Sequence, residues 1–227
     1  VNTGRDIQGE ALPPSIVDQF ELGAKSDLAN GLLSINLTLY QIINDNLAQT
    51  ALILADGSPN TDNTIRELAG EVTSKGVELD IATKPIYGLT FMAGYSFNET
   101  KYTGGNGKNF TTGDRLRYNP AHTANASVFY AFPVKSAFKN FSAGLNAYYV
   151  GDRLAGRNPS TTNPNYKLIA LPDYTLFDLS VGYSGLKHFS LRVKLTNLLN
   201  KLSYNVHDDN SVNPIAPRQF AASVAYK

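Results

Sequence analysis

The sequence predicts an all-β protein: an antiparallel up-and-down transmembrane β-barrel wall of about nine to ten strands. Three observations carry this. Nearly every strand-like stretch alternates apolar with polar residues, as in Leu33-Ser34-Ile35-Asn36-Leu37-Thr38-Leu39 and Phe189-Ser190-Leu191-Arg192-Val193-Lys194-Leu195. A period of two sends successive side chains to opposite faces of a sheet, so one face is greasy and the other wet. The links between these stretches alternate short and long. No run approaches the ~18 apolar residues of a membrane helix. The apolar phase is expected to be free of charge, because Arg or Lys facing lipid at mid-membrane costs about 2–4 kcal/mol.

Nine alternating segments follow in order. The first, Ile16–Leu28, sets Phe20, Leu22 and Ala24 against Gln19, Glu21 and Lys25. Residues 32–44 hold the plainest alternation. Residues 71–84 set Val77, Leu79 and Ile81 against Glu78 and Asp80, and residues 89–100 set Phe91, Ala93, Tyr95 and Phe97 against Thr90, Gly94, Ser96 and Asn98. Segments 122–132, 141–151, 173–184, 189–197 and 218–227 keep the same pattern, the last through Phe220, Ala222, Val224 and Tyr226.

Short links fall at 29–31, 85–88, 133–140 and 185–188, and long ones at 46–70, 101–121, 152–172 and 200–217. Repeated structureless loops of ~20 residues would count against a compact soluble domain. They are expected of a membrane barrel with short periplasmic turns and long extracellular loops. A soluble β-sandwich module is the competing fold, and it predicts solubility without detergent. Nine strands leave two open edges, and single-chain bacterial barrels usually have even counts. With the polar leader 1–14, this predicts a C-terminal portion of a larger barrel, with 1–227 as one piece of wall.

Composition removes other classes. A net charge of +1 gives no basic field for nucleic acid, and the absence of cysteine removes disulfides and thiolate metal sites. His122, His188 and His207 form no recognisable catalytic signature, so no enzyme, metal or cofactor is expected. Asp56, Ser58, Asn60 and Asp62, with Glu67 beyond, follow the spacing of a calcium loop, but Thr61 stands where its glycine belongs. An Asx-rich turn is the expectation.

Seven motifs then come in one order. They are Phe20-Glu21-Leu22-Gly23-Ala24-Lys25 after Pro13-Pro14, Lys75-Gly76-Val77-Glu78-Leu79-Asp80, and the strand ending Gly94-Tyr95-Ser96. Pro120-Ala121-His122-Thr123 and Pro172-Asp173-Tyr174-Thr175 follow, and Asn197-Leu198-Leu199-Asn200-Lys201 and Pro217-Arg218-Gln219-Phe220 close the series. In this order the chain resembles the C-terminal half of TonB-dependent outer-membrane receptors, particularly the ferric-siderophore type. The resemblance implies a barrel of about 22 strands in the outer membrane, closed by an N-terminal plug that this chain lacks and coupled to TonB through that missing region. It also implies a terminal aromatic residue, whereas this chain ends in Lys227.

Function follows as expectation. The receptor would import a ferric siderophore. Cobalamin, haem or an oligosaccharide as cargo, or a passive porin-like barrel, are the alternatives. Arg115, Arg117, Tyr118, Arg153, Arg157, Tyr166 and His207 lie in long loops. Arginine offers fixed charge and a planar donor fork to an anionic chelate, and tyrosine an apolar face with a hydroxyl. The same arginines could instead pair with neighbouring acids or with anionic lipopolysaccharide. Glu21, Lys25, Glu78, Asp80, Asp178, Arg192 and Lys194 fall on the polar phase and are expected to face the lumen. The apolar phase is expected to contact outer-membrane lipid.

Overall fold

The computed structural model describes residues 2–105, 111–156, 167–206 and 211–226. Strands β1 (Ile16–Leu28), β2 (Leu33–Thr50), β3 (Arg66–Thr83), β4 (Leu89–Gly105), β5 (His122–Ala131) and β6 (Phe141–Val150) come first. Then come β7 (Arg153–Gly156), β8 (Leu168–Leu171), β9 (Tyr174–Tyr183), β10 (Phe189–Thr196), β11 (Tyr204–Val206), β12 (Val212–Pro214) and β13 (Gln219–Tyr226). Nine of them form one antiparallel sheet in the order β1-β2-β3-β4-β5-β6-β9-β10-β13. Each joins its neighbour in sequence, apart from two small hairpins set into long loops.

Residues paired across an antiparallel ladder share a face. The register therefore tests the alternation strand by strand. Leu22, Leu39, Val77, Phe97 and His122 form one row, and Ala24, Leu37, Leu79, Tyr95, Ala124 and Tyr149 the next. Toward the other edge of the sheet, on the same face, Leu145, Leu179, Leu195 and Phe220 line up likewise. Through these rows one face stays apolar across all nine strands, because no strand slips by one residue there. Glu21, Lys25, Glu78, Asp80, Asp178, Arg192 and Lys194 all fall on the opposite face.

The apolar face is uncovered. Leu145 is 44% exposed, Leu179 38% and Val181 42%, although β6 and β9 are flanked by strands on both sides. A sandwich would bury these residues under a second sheet about 10 Å away. Among the described residues no such layer exists. The buried apolar residues gather instead at the long-loop end, where Ala69, Val72 and Tyr102 pack with Leu47 and Leu116.

Three expectations change. The apolar phase does carry charge: Asp18, Lys75, Glu99 and Lys101 lie on it, with Lys101 Nζ 2.6 Å from Glu99 Oε1. They stand above the Leu39–Val77–Phe97 row, so the uncharged band on β4 runs from Leu89 to Phe97. That is about 26 Å along the strand, close to the ~25 Å apolar belt of membrane barrels. The strands also outrun the band: β2 reaches Thr50 and β3 begins at Arg66, with a register shift between Asn44 and Leu47 where Asn46 takes a left-handed φ of 56°. Finally, two of the four long loops are not structureless. They contain the β7–β8 and β11–β12 hairpins.

Short links turn tightly. Ala29, Asn30 and Gly31 take φ values of 50°, 57° and 76° in succession between β1 and β2. Gly76, at the middle of β3, serves close packing: a Cβ there would overlap the Tyr40 ring and the Phe97 carbonyl. The Tyr40 ring covers the glycine on the polar face, and its hydroxyl accepts a 2.5 Å hydrogen bond from Asn98 Nδ2.

Candidate functional site

The long-loop end is held by side chains that reach from one loop to the next. Asn98 and Thr100, on the polar face of β4, start the network. Asn119 Nδ2 donates to Asn98 Oδ1 at 2.6 Å and to Thr100 Oγ1 at 2.9 Å, which ties the loop after β4 back onto its own strand. Beside it Tyr102 is fully buried, and Gln49 Nε2 donates to its hydroxyl at 2.5 Å.

Arg117, itself buried, extends this cluster outward. Nη2 donates to Gln49 Oε1 at 3.0 Å and Nη1 to the Gly156 carbonyl at 2.5 Å, while the guanidinium carbon lies 5.1 Å from the Tyr118 ring centre. Arg115 makes a second tie. Nη1 donates to Asp152 Oδ2 at 2.6 Å, and Nη2 to the Asp152 and Asn119 carbonyls at 2.6 and 3.1 Å. Arg153 makes a third: Nη1 donates to the Gly151 carbonyl at 2.9 Å and Nη2 to the Tyr204 carbonyl at 2.6 Å, with the guanidinium 5.2 Å from the Tyr174 ring centre. The planar fork suits this use, since one guanidinium can serve two acceptors at once.

The arginines expected to line a vestibule stand, where the structure describes them, as ties between loops: Arg115 to Asp152, Arg117 to Gly156 and Arg153 to Tyr204. Arg115, Arg117 and Tyr118 come from the loop after β4 and meet the start of the loop after β6, where Tyr118 N also donates to the Leu154 carbonyl at 2.8 Å. Arg117 and Arg153 are buried and engaged with backbone carbonyls, whereas Tyr118 is 36% exposed and the Arg115 side chain 28%. Arg157, Tyr166 and His207 lie outside the described residues. A cleft of about 310 Å³ opens beside Arg117 and Tyr118, lined also by Leu47, Gln49, Thr50 and Arg66.

Asparagines went unnoticed as organisers. Buried Asn197 donates from Nδ2 to the Lys201 and Ala216 carbonyls at 3.0 Å each, and its Oδ1 accepts from Lys201 N at 2.8 Å. Its own N–H donates to Asp178 Oδ1 at 3.0 Å, and Asp178 Oδ2 stands 3.1 Å from Lys194 Nζ. Asn60 plays the same part in the loop after β2: Nδ2 donates to the Ala51 and Asp62 carbonyls at 2.9 and 2.8 Å. Asp56 and Asp62 accept from Ser58 and Thr64, two residues on, which are the Asx turns expected of this segment. These hydroxyl and amide donors hold both carboxyls below the usual aspartate range.

The Arg115 guanidinium likewise holds the Asp152 carboxyl below its ordinary value, against the opposing effect of burial. A carboxyl depressed in the folded state stabilises the fold above the unfolded value of about 3.9, and this contribution is lost as pH falls through the folded value. Because the Asp152 side chain is 65% exposed, the pair contributes no more than about 1 kcal/mol. Asp152→Asn is therefore expected to unfold slightly more easily than the parent protein at pH 7 and equally at pH 2 in urea titrations. A gap of the same size at both pH values would remove the ion pair from the account.

Comparison with known proteins decides what this architecture belongs to. Residues 1–198 match the family described as TonB dependent receptor-like, beta-barrel. The chain belongs to the TonB-dependent receptor β-barrel family. Among its relatives, the metal-pseudopaline receptor CntO of Pseudomonas aeruginosa is 27% identical over 224 residues, which cover 98% of this chain and 29% of that receptor. The ferrioxamine B receptor of Salmonella typhimurium is 26% identical over 86% of this chain and 26% of its own length. The ferripyoverdine receptor of Pseudomonas aeruginosa, solved with ferripyoverdine bound, superposes with a TM-score of 0.75 at 21% identity, over 98% of this chain and 28% of that one. This TonB-dependent receptor chain thus spans under a third of the length of the relatives it matches. Its nine-stranded sheet is a stretch of barrel wall.

Proposed function

We propose that this chain is the C-terminal wall and loop rim of an outer-membrane receptor that imports a ferric siderophore, energised through TonB. The observation that carries the reading is the match of the chain, over nearly its whole length, to receptors named for metal-pseudopaline and ferrioxamine B. The loop end supports it chemically. Arg115, Arg117 and Arg153 concentrate positive charge on braced loops, and Tyr118 offers an exposed ring beside a cleft. Such a rim suits a compact anionic chelate, with Arg115, Tyr118, Arg157, Tyr166 and His207 as its contacts and Arg117 and Arg153 as their supports. A plug domain and a TonB-binding segment are assigned to sequence upstream of residue 1. Glu21, Lys25, Glu78, Asp80, Asp178, Arg192 and Lys194 would then line the water-filled lumen around the plug.

The test uses the full-length receptor in whole cells. Radioactive iron offered as a panel of siderophore chelates is expected to bind at the surface for at least one chelate. Accumulation of that chelate should disappear in cells lacking TonB while surface binding persists. Failure to bind any ferric chelate, or uptake indifferent to TonB, overturns the reading.

A further inference from the structure

The short-turn end of the sheet has a chemistry of its own. Its four connections, 29–32, 84–88, 132–140 and 184–188, contain Lys84, Lys135, Lys139 and Lys187 and no aspartate or glutamate. The whole chain has a net charge of only +1, so everything outside these turns is net acidic. All four lysines are exposed. None has an ion-pair partner among the described residues.

Between and beside the lysines, the same turns project apolar side chains. Tyr87 is 93% exposed, Val134 84% and Phe138 60%. The turn carrying Lys135 and Lys139 is ordered: Ser136 N donates to the Pro133 carbonyl at 2.9 Å and Phe141 N to the Phe138 carbonyl at 3.0 Å. Just inside the turns, an aromatic row closes the apolar face. Tyr130 meets Phe132 edge-on at 4.9 Å, Phe132 lies 5.6 Å from Phe138, Phe141 lies 4.7 Å from Tyr183, and Phe189 lies 5.3 Å from Tyr226.

Aromatic rings settle at the level of lipid headgroups, and lysines just beyond them reach the phosphates. We infer that this rim is a docking surface for anionic phospholipid headgroups in the leaflet on the short-turn side. Exposed apolar tips enter the leaflet, and four ammonium groups, with no carboxylate in the turns themselves, select negatively charged lipid. Charge complementarity commits the surface to lipid: a soluble anion would gain nothing from Tyr87, Val134 and Phe138. The inference rests on the membrane-barrel reading.

Each lysine near an anionic leaflet is worth roughly a fivefold change in association. Averaged over the lipid shell, a two- to fivefold preference is expected. The experiment reconstitutes the outer-membrane protein carrying these strands in phosphatidylcholine vesicles. It compares the motionally restricted fraction of spin-labelled phosphatidylglycerol with that of spin-labelled phosphatidylcholine. The parent protein should prefer phosphatidylglycerol, and the combined variant Lys84→Gln, Lys135→Gln, Lys139→Gln, Lys187→Gln should fall to parity while keeping the heat-dependent gel mobility of a folded barrel. Lys75→Gln with Lys101→Gln, at the opposite rim, should keep the preference. Parity in the parent, a preference retained in the quadruple variant, or equal loss in the opposite-rim variant overturns the inference. If neither lipid shows a restricted fraction, the membrane reading falls with it, an outcome distinct from parity.

Discussion

Leu37→Arg is expected to lower stability in phospholipid vesicles by about 2–4 kcal/mol, the cost of a cation on the lipid face near mid-membrane. Leu37 lies centrally in the apolar band, paired with Ala24 and Leu79, and it is 40% exposed with no protein layer above it among the described residues. The adjacent Asn36→Arg should cost far less. Its neighbours across the ladder are Lys25 and Asp80 on the polar face, so the new cation meets water, with the Asp80 carboxylate offsetting the Lys25 ammonium. Urea unfolding of the reconstituted protein measures both. Equal effects at 36 and 37 would contradict the assignment of faces. The contrast is informative because the two residues are sequence neighbours and differ only in the side of the sheet they face.

Arg117→Ala is expected to destabilise the loop end by about 3 kcal/mol, since charged hydrogen bonds are lost and buried acceptors are left bare. The Gly156 carbonyl and Gln49 Oε1 lose their donor, and Gln49 is the residue that in turn holds the buried Tyr102 hydroxyl. The lysine variant should recover little, because one ammonium on a flexible stem does not reproduce the fork. Limited proteolysis should cut at 111–121 sooner in the alanine variant, while the strands below keep their protection. Cleavage at the parent rate would show that Arg117 is not a strut. In the proposed receptor the loss should also weaken ligand binding indirectly, by loosening Tyr118 and Arg115.

The strands were legible because each carries its own signal. Ile16–Leu28 is bounded by prolines before and a left-handed turn after, and its alternation is unbroken from Gln19 to Lys25. Where that signal weakens, the boundaries moved. Beyond Asn44 the chain bulges, the two-residue period breaks, and pairing continues to Thr50 on backbone hydrogen bonds that no side-chain pattern announces. The β7–β8 and β11–β12 hairpins, with strands of three or four residues, are too short for alternation to register. The charges at Lys75 and Glu99 were misread because periodicity reports which way a side chain points, and depth in the membrane is set by the strand's position in the sheet.

At the loop end residue type is legible in the sequence and the structural partners are not. Arginine and tyrosine stand out in the long loops for what they offer an anion. Yet Arg117 reaches Gly156 and Arg153 reaches Tyr204, partners dozens of residues away that bond through their backbone carbonyls. A carbonyl acceptor is present at every position, so no sequence pattern points to it. Asn197 and Asn60 were missed for the same reason: their partners are also backbone groups.

The sheet has an odd number of strands, nine, with β1 and β13 at its edges. Strands that alternate in direction return to the starting sense at the ninth, so β1 and β13 run the same way. Among the described residues each edge strand is paired on one side only, which leaves its other side to a further strand. Yet like-oriented copies of this wall, set side by side, would meet only through parallel seams. An odd complement of strands is what lets every seam be antiparallel. Strands that flank β1 and β13 in an antiparallel wall must therefore both run in the sense opposite to them.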